Sequence, residues 1–146
     1  MRICVLHGPN LNLLGRREPD LYGTETLDEI DGRLRARGEE LEVDLVSFQS
    51  NHEGDLVDHI QAEASRTDGW LVNAAGLTHS SVALRDALVA SGRPFVEVHL
   101  TNIFAREPFR RRSLLSDAAI GVVTGFGRRS YLFGLDGLVV ALRRDE

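Results

Sequence analysis

Residues 2–38 read RICVLHGPNLNLLGRREPDLYGTETLDEIDGRLRARG, and their pattern decides the fold. A short apolar run, Arg2 to His7, has the length of a strand and leads into a long loop punctuated by Gly8, Pro9, Gly15, Pro19 and Gly23. Beyond the loop, Leu27, Ile30 and Leu34 recur at helical spacing. Thr26 and Glu29 stand before them as a capping box, and Gly38 marks the expected end. This unit of strand, loop and helix repeats about five times with no linker-like interruption.

Further strands are expected near 42–48, 70–73, 95–99 and 119–123. One intervening helix carries Leu56, Val57, Ile60 and Ala64, and the next carries Val82, Ala83, Ala87 and Leu88 before Gly92. The last helix, 128–144, aligns Leu132, Leu135, Leu138, Val139 and Leu142, with Tyr131 on the same apolar side as a core residue. Gly134 and Gly137 each weaken that helix by about 1 kcal/mol relative to alanine, a cost that close packing would explain. Strands alternating with helices imply right-handed crossovers and a mostly parallel sheet covered on both faces. The expected fold is α/β and flavodoxin-like, with a five-stranded parallel sheet in a single domain over residues 1–146.

Composition removes several functions. The net charge of −5 opposes general nucleic-acid binding, although Arg110, Arg111 and Arg112 form a basic cluster suited to a small anion. All 17 basic residues are arginine. Without lysine there is no Schiff-base catalysis, no pyridoxal phosphate attachment and no P-loop. The single cysteine, Cys4, excludes a disulfide within the chain and reads as a small buried hydrophobe. The apolar run Ile3 to Leu6 is too short for a signal segment or a membrane span, so a cytoplasmic location is expected. His52, His59, His79 and His99 lack metal-site spacing, and the GFG in TGFGRRS lacks the full dinucleotide fingerprint.

In open parallel sheets, ligands bind beyond the carboxyl ends of the strands. Four loops start there. The first carries Asn10, Arg16, Arg17 and Tyr22; the second starts at Asn73 and offers Gly76, Thr78, His79 and Ser80; the third follows FVEVH; the fourth is TGFGRRS. Glu97 and His99 are two apart in a strand and point to one side, so the carboxylate can hold one ring nitrogen and leave the other for acid–base work. The pair also reads as a histidine merely satisfied by its neighbour, and its place at a strand's carboxyl end favours function. A guanidinium beside Tyr22 would favour phenolate and make it a base; the alternative is a tyrosine packed over the sheet with solvated arginines. The glycines and prolines suit special turns and a lid.

Three segments, HGPNLNLLGRREPDLYG (7–23), NAAGLTHSSVALRDAL (73–88) and EVHLTNIFAREPFRRRS (97–113), together resemble the signatures of the type II 3-dehydroquinate dehydratases, in order and across almost the whole chain. The resemblance implies a flavodoxin-like protomer, trimers assembled into a dodecamer, no cofactor and no metal. It implies anti elimination of water from 3-dehydroquinate through an enolate, in the shikimate pathway or in quinate breakdown. On that basis Tyr22 removes the proton, with Arg17 lowering its pKa, and Asn10 stabilises the enolate oxygen through an ordered water. His99, supported by Glu97, protonates the departing hydroxyl. Asn73 and the backbone at Leu100 and Thr101 hold the substrate carboxylate, while His79 and Arg110 engage ring hydroxyls. Arg106 is a weaker candidate against the lid, and Asp86 reaches a neighbouring subunit's site. Thr101 stands where serine is frequent in that family, and His7, where asparagine is frequent, is assigned no role. A flavodoxin-like binding or receiver module is the rival, but HGPN places no acidic cluster at the end of the first strand.

Overall fold

The computed structural model describes residues 1–144. Strands β1 (Arg2–His7), β2 (Asp44–Gln49), β3 (Gly69–Asn73), β4 (Phe95–His99) and β5 (Gly121–Thr124) form one sheet in the order β2-β1-β3-β4-β5. Every pairing is parallel. This is the flavodoxin-like order, with its reversal between β1 and β3.

The helices are α1 (Pro19–Tyr22), α2 (Leu27–Glu40), α3 (Glu53–Glu63), α4 (Val82–Ala90) and α5 (Arg129–Arg144). Alternation along the strands divides the core into two layers. Val96 and Val98 of β4 join Ile30 and Leu34 of α2 and Leu135 and Leu138 of α5. Phe95, one residue out of phase, joins Leu56 and Ile60 of α3 and Leu84 and Leu88 of α4. Glu97 and His99 therefore share the α3/α4 side of the sheet with Phe95. Cys4 is fully buried in the same layer, and its Sγ lies 3.1 Å from the Thr67 hydroxyl.

The capping box forms as expected: Glu29 N–H donates to the Thr26 hydroxyl, and the Thr26 N–H donates to Glu29. Several boundaries move. The opening loop is not irregular throughout, since a 3-10 turn spans Leu11–Leu13 and a proline-initiated helical turn, α1, carries Tyr22. The second strand starts at Asp44, after Glu42 turns the chain with φ 56. The fifth starts at Gly121, because the amides of Ala118 and Ala119 still close a turn on the Leu115 carbonyl. Ala64 falls in the 3-10 turn that follows α3, and Val82 and Ala83 face outward, Val82 being 58% exposed. Gly38 does not end its helix, which runs on to Glu40. A Cβ there would lie 2.7 Å from Leu45 Cδ1, so the glycine lets α2 sit close on β2.

The two glycines of α5 have different causes. A Cβ on Gly134 would meet Val98 Cγ2 at 2.7 Å and Leu71 Cδ1 at 2.9 Å, whereas one on the exposed Gly137 would meet nothing within 4 Å. Valine is stiff at χ1, so Val98 cannot swing away. Gly134→Ala is expected to destabilise by about 1–2 kcal/mol, the overpacking strain exceeding the helix-propensity gain. Gly137→Ala is expected to stabilise by up to about 1 kcal/mol. Urea unfolding of the two variants checks both signs. Among the described residues, no helix is long and apolar enough to cross a membrane.

Candidate active site

The first three strand-end loops meet around a cavity of about 200 Å³ at the carboxyl ends of β1, β3 and β4. Asn10 enters it just past β1, in the left-handed region at φ 70, a conformation asparagine tolerates better than most residues. Its N–H donates to Asn51 Oδ1 at 2.9 Å, and its carbonyl accepts from Leu13 N–H at 3.0 Å. Asn51 also accepts from Gln49 Nε2 at 3.1 Å. The sequence reading missed Asn51; its signal was a polar run, QSN, straight after a strand.

Asn73 ends β3, buried, with Oδ1 accepting from Ala75 N–H at 3.1 Å. That bond holds Ala75 at φ 52, a strained backbone of the kind that gathers at functional sites. His79 follows on the same loop. Its Nδ1 lies 2.7 Å from the Arg112 carbonyl, which can only accept, so Nδ1 carries hydrogen and Nε2 is left for a ligand. Leu100, Thr101 and Arg110 complete that side, and Arg110 Nε is held by Glu107 at 2.8 Å.

His99 ends β4 with Nε2 donating to Glu97 Oε1 at 2.7 Å. Glu97 is wholly buried. Burial alone would push its carboxyl up, but hydrogen bonds from His99, Ser116 and Ser113 together outweigh burial and hold it below the ordinary range. Glu97 is thus a carboxylate at neutral pH.

Tyr22, on α1, lines the same cavity. Arg106 Nη1 donates to its hydroxyl at 3.0 Å, and the guanidinium carbons of Arg106 and Arg17 lie 5.5 and 5.6 Å from its ring centroid. Both arginines belong to the tyrosine's surroundings, but the one in contact with the oxygen is Arg106, the weaker candidate of the sequence reading. Arg17 is more exposed and has Glu18 at 3.5 Å. Behind α1 lies a second, wider cleft of about 650 Å³, lined by 21–25 and by the TGFGRRS loop, which therefore faces the back of the lid rather than the cavity. The cavity lining holds three arginines and no acidic residue, a positive site on a chain of net charge −5.

His7, given no role from sequence, pairs in register with Asn73 on the neighbouring strand. It is fully buried, with Nδ1 2.8 Å from the Tyr131 hydroxyl and Nε2 2.9 Å from Asp31 Oδ1, which also accepts from the Ser47 hydroxyl at 2.9 Å. Burial pushes Asp31 up, but its bond to His7 and further contacts bring it net below the usual carboxylate range. Burial drives the Tyr131 phenol far up, so it stays neutral and serves as a hydrogen-bonding post beside the Asn73 amide. Tyr131 is a core residue, as expected, with a polar duty added.

One predicted site residue stands apart. Asp86 is exposed on α4, between the exposed Val82 and Val89, and does not line its own chain's cavity. Among the described residues, no cluster of three or more His, Cys, Asp or Glu side chains could hold a metal ion.

A phenol under two guanidinium groups, in one cavity with an imidazole braced by a buried carboxylate, defines an α/β enzyme that moves protons on a small anion. Comparison with known proteins narrows this class. Residues 1–139 match the family Dehydroquinase class II. A 3-dehydroquinate dehydratase of Synechococcus sp. (strain WH7803) is 57% identical over 146 residues, 100% of this chain and 99% of that protein. The crystal structure of type II dehydroquinase from Propionibacterium acnes superposes with a TM-score of 0.90 at 41% identity, covering 95% of this chain and 96% of that one. The enzyme from Butyrivibrio crossotus superposes with a TM-score of 0.92 at 36% identity, covering 94% and 97%. The chain belongs to the class II dehydroquinase family.

Proposed function

We propose that this protein is a hydro-lyase that dehydrates 3-dehydroquinate to 3-dehydroshikimate by anti elimination through an enolate, as one catalytic unit over residues 1–146. The observation that carries the reading is that Tyr22 and His99 line one cavity, a base on the lid and an acid on the sheet. Tyr22, as phenolate, takes the proton next to the ketone. Arg106 and Arg17 stabilise the negative charge it bears while acting as base. Asn10 steadies the enolate oxygen through an ordered water, its backbone fixed beforehand by Asn51, so little reorganisation is needed as charge develops.

His99 gives a proton to the departing hydroxyl, and the Glu97 carboxylate supports the imidazolium form. The Asn73 amide and the backbone at Leu100 and Thr101 hold the substrate carboxylate, in a lining without competing acids. His79, through Nε2, and Arg110 engage ring hydroxyls. The lid is the segment bearing Arg17 and Tyr22: it has open space on both sides, which supports movement with substrate.

Trimers assembled into a dodecamer are part of the same reading. Asp86 has no place in its own cavity and sits on an outward face with Val82 and Val89, which suits delivery to a neighbouring protomer's site. A cytoplasmic location fits a reaction in shikimate formation or quinate breakdown. The test is direct: purified protein without added metal or cofactor is expected to convert 3-dehydroquinate into a conjugated enone, seen as rising ultraviolet absorbance. A flat trace at saturating substrate would refute the assignment.

A further inference from the structure

Glu97 has three donors converging on it. Oε1 accepts from His99 Nε2 and from the Ser113 hydroxyl, each at 2.7 Å, and Oε2 accepts from the Ser116 hydroxyl. The two serines lie three residues apart in the turn SLLS, which Leu115, fully buried between them, anchors in the α3/α4 layer. Ser113 Oγ also accepts from the amides of Leu115 and Ser116, at 3.0 and 3.1 Å, so its oxygen is engaged by the turn and its hydrogen is committed to Glu97. Ser116 gives its hydroxyl to the carboxylate alone.

We propose that Ser113 and Ser116 are positioning residues that lock Glu97 as a carboxylate and thereby place the transferable proton of His99 on Nδ1. A carboxylate is acceptor-only and takes all three donors at once, whereas a protonated carboxyl would have to turn the Ser116 hydroxyl from donor to acceptor and lose its bond to the anion. With Glu97 held as anion, Nε2 keeps its hydrogen throughout, and Nδ1 is the nitrogen that exchanges a proton with the leaving hydroxyl. Among the described residues, His99 is the one titratable side chain hydrogen-bonded to Glu97. The carboxylate's partners in the sheet are Val72 and Val122, and Arg85 on α4 is turned away to Asp117 and the Leu114 carbonyl. The proton's position is therefore set by two hydroxyls supplied by the loop after β4.

The assignment rests on His99 being the acid of the reaction, and the experiment separates the two ideas. In Ser116→Ala, with Glu97 carboxyl carbon followed by 13C NMR in the free protein, the titration midpoint is expected to rise by about one pH unit, the effect of one lost hydrogen bond to a charged group. The acid limb of kcat against pH should move up with it while KM stays nearly constant. Ser113→Ala should move the midpoint the same way, and Ser116→Thr, which keeps the hydroxyl, should restore both readings. An unmoved midpoint in both alanine variants overturns the proposal, as does a loss of rate uniform across pH. If the midpoint moves but the wild-type protein does not turn over 3-dehydroquinate, the carboxylate lock stands and the reading of the reaction falls.

Discussion

Tyr22→Phe is expected to lower kcat by about 10²- to 10⁴-fold, the range associated with loss of a positioned general base, while substrate binding is almost unchanged. The variant removes one oxygen and keeps the ring. The stacking of Arg17 and Arg106 on that ring therefore survives, and with it the shape of the lid. The groups assigned to the substrate carboxylate and hydroxyls, Asn73, His79 and Arg110, sit on other loops and are untouched. What disappears is the proton acceptor. Turnover by absorbance, set beside substrate affinity by calorimetry, checks the split: wild-type turnover refutes Tyr22 as the base, and loss of binding in step with turnover makes it a structural residue instead.

The parts of this molecule that sequence made legible are those encoded locally. The capping box at Thr26 and Glu29, the period-two placement of Glu97 and His99, and the strand-helix units that start at β1, β2, β3 and β5 each depend on residues a few positions apart, and the structure has them; the expected fifth unit is incomplete, since β4 is followed only by the 3-10 turns Ile103–Ala105 and Pro108–Arg110. Gly38 shows where local rules mislead. A glycine near a helix end reads as a stop, yet its cause here is a side chain on β2, Leu45, that no window around Gly38 contains. Gly134 and Gly137 look alike in sequence and differ only in what faces them across the sheet.

The site followed the same division. Residues at the ends of strands were found because topology alone brings them together. The network beneath them was not, since His7, Asp31 and Tyr131 come from a strand and two helices far apart in the chain, and Asn51 reaches Asn10 over 41 positions. The bond to the Tyr22 hydroxyl was not legible for the same reason. Arg17 is five residues away and was the natural choice, while Arg106, 84 residues away, makes the bond.

That exchange of arginines yields a sharp expectation. Arg106→Gln should lower kcat at neutral pH by about 10- to 100-fold, since a hydrogen bond to a charged group contributes roughly 1.5–3 kcal/mol. Arg17→Gln, which removes only the guanidinium over the ring, should cost less in kcat and more in KM through the lid it rides on. The pH dependence separates a charge-stabilising role from a packing one. Alkaline pH favours the deprotonated form of any phenol, so it replaces what Arg106 otherwise supplies, and the deficit of Arg106→Gln should shrink steadily towards alkaline pH. No such recovery is open to Tyr22→Phe, which has no proton to lose. Arg106→Lys keeps the charge but not the planar donor geometry, so it should fall between wild type and Arg106→Gln. A deficit in Arg106→Gln that stays constant with pH would remove Arg106 from the base and leave Arg17 as the arginine that matters.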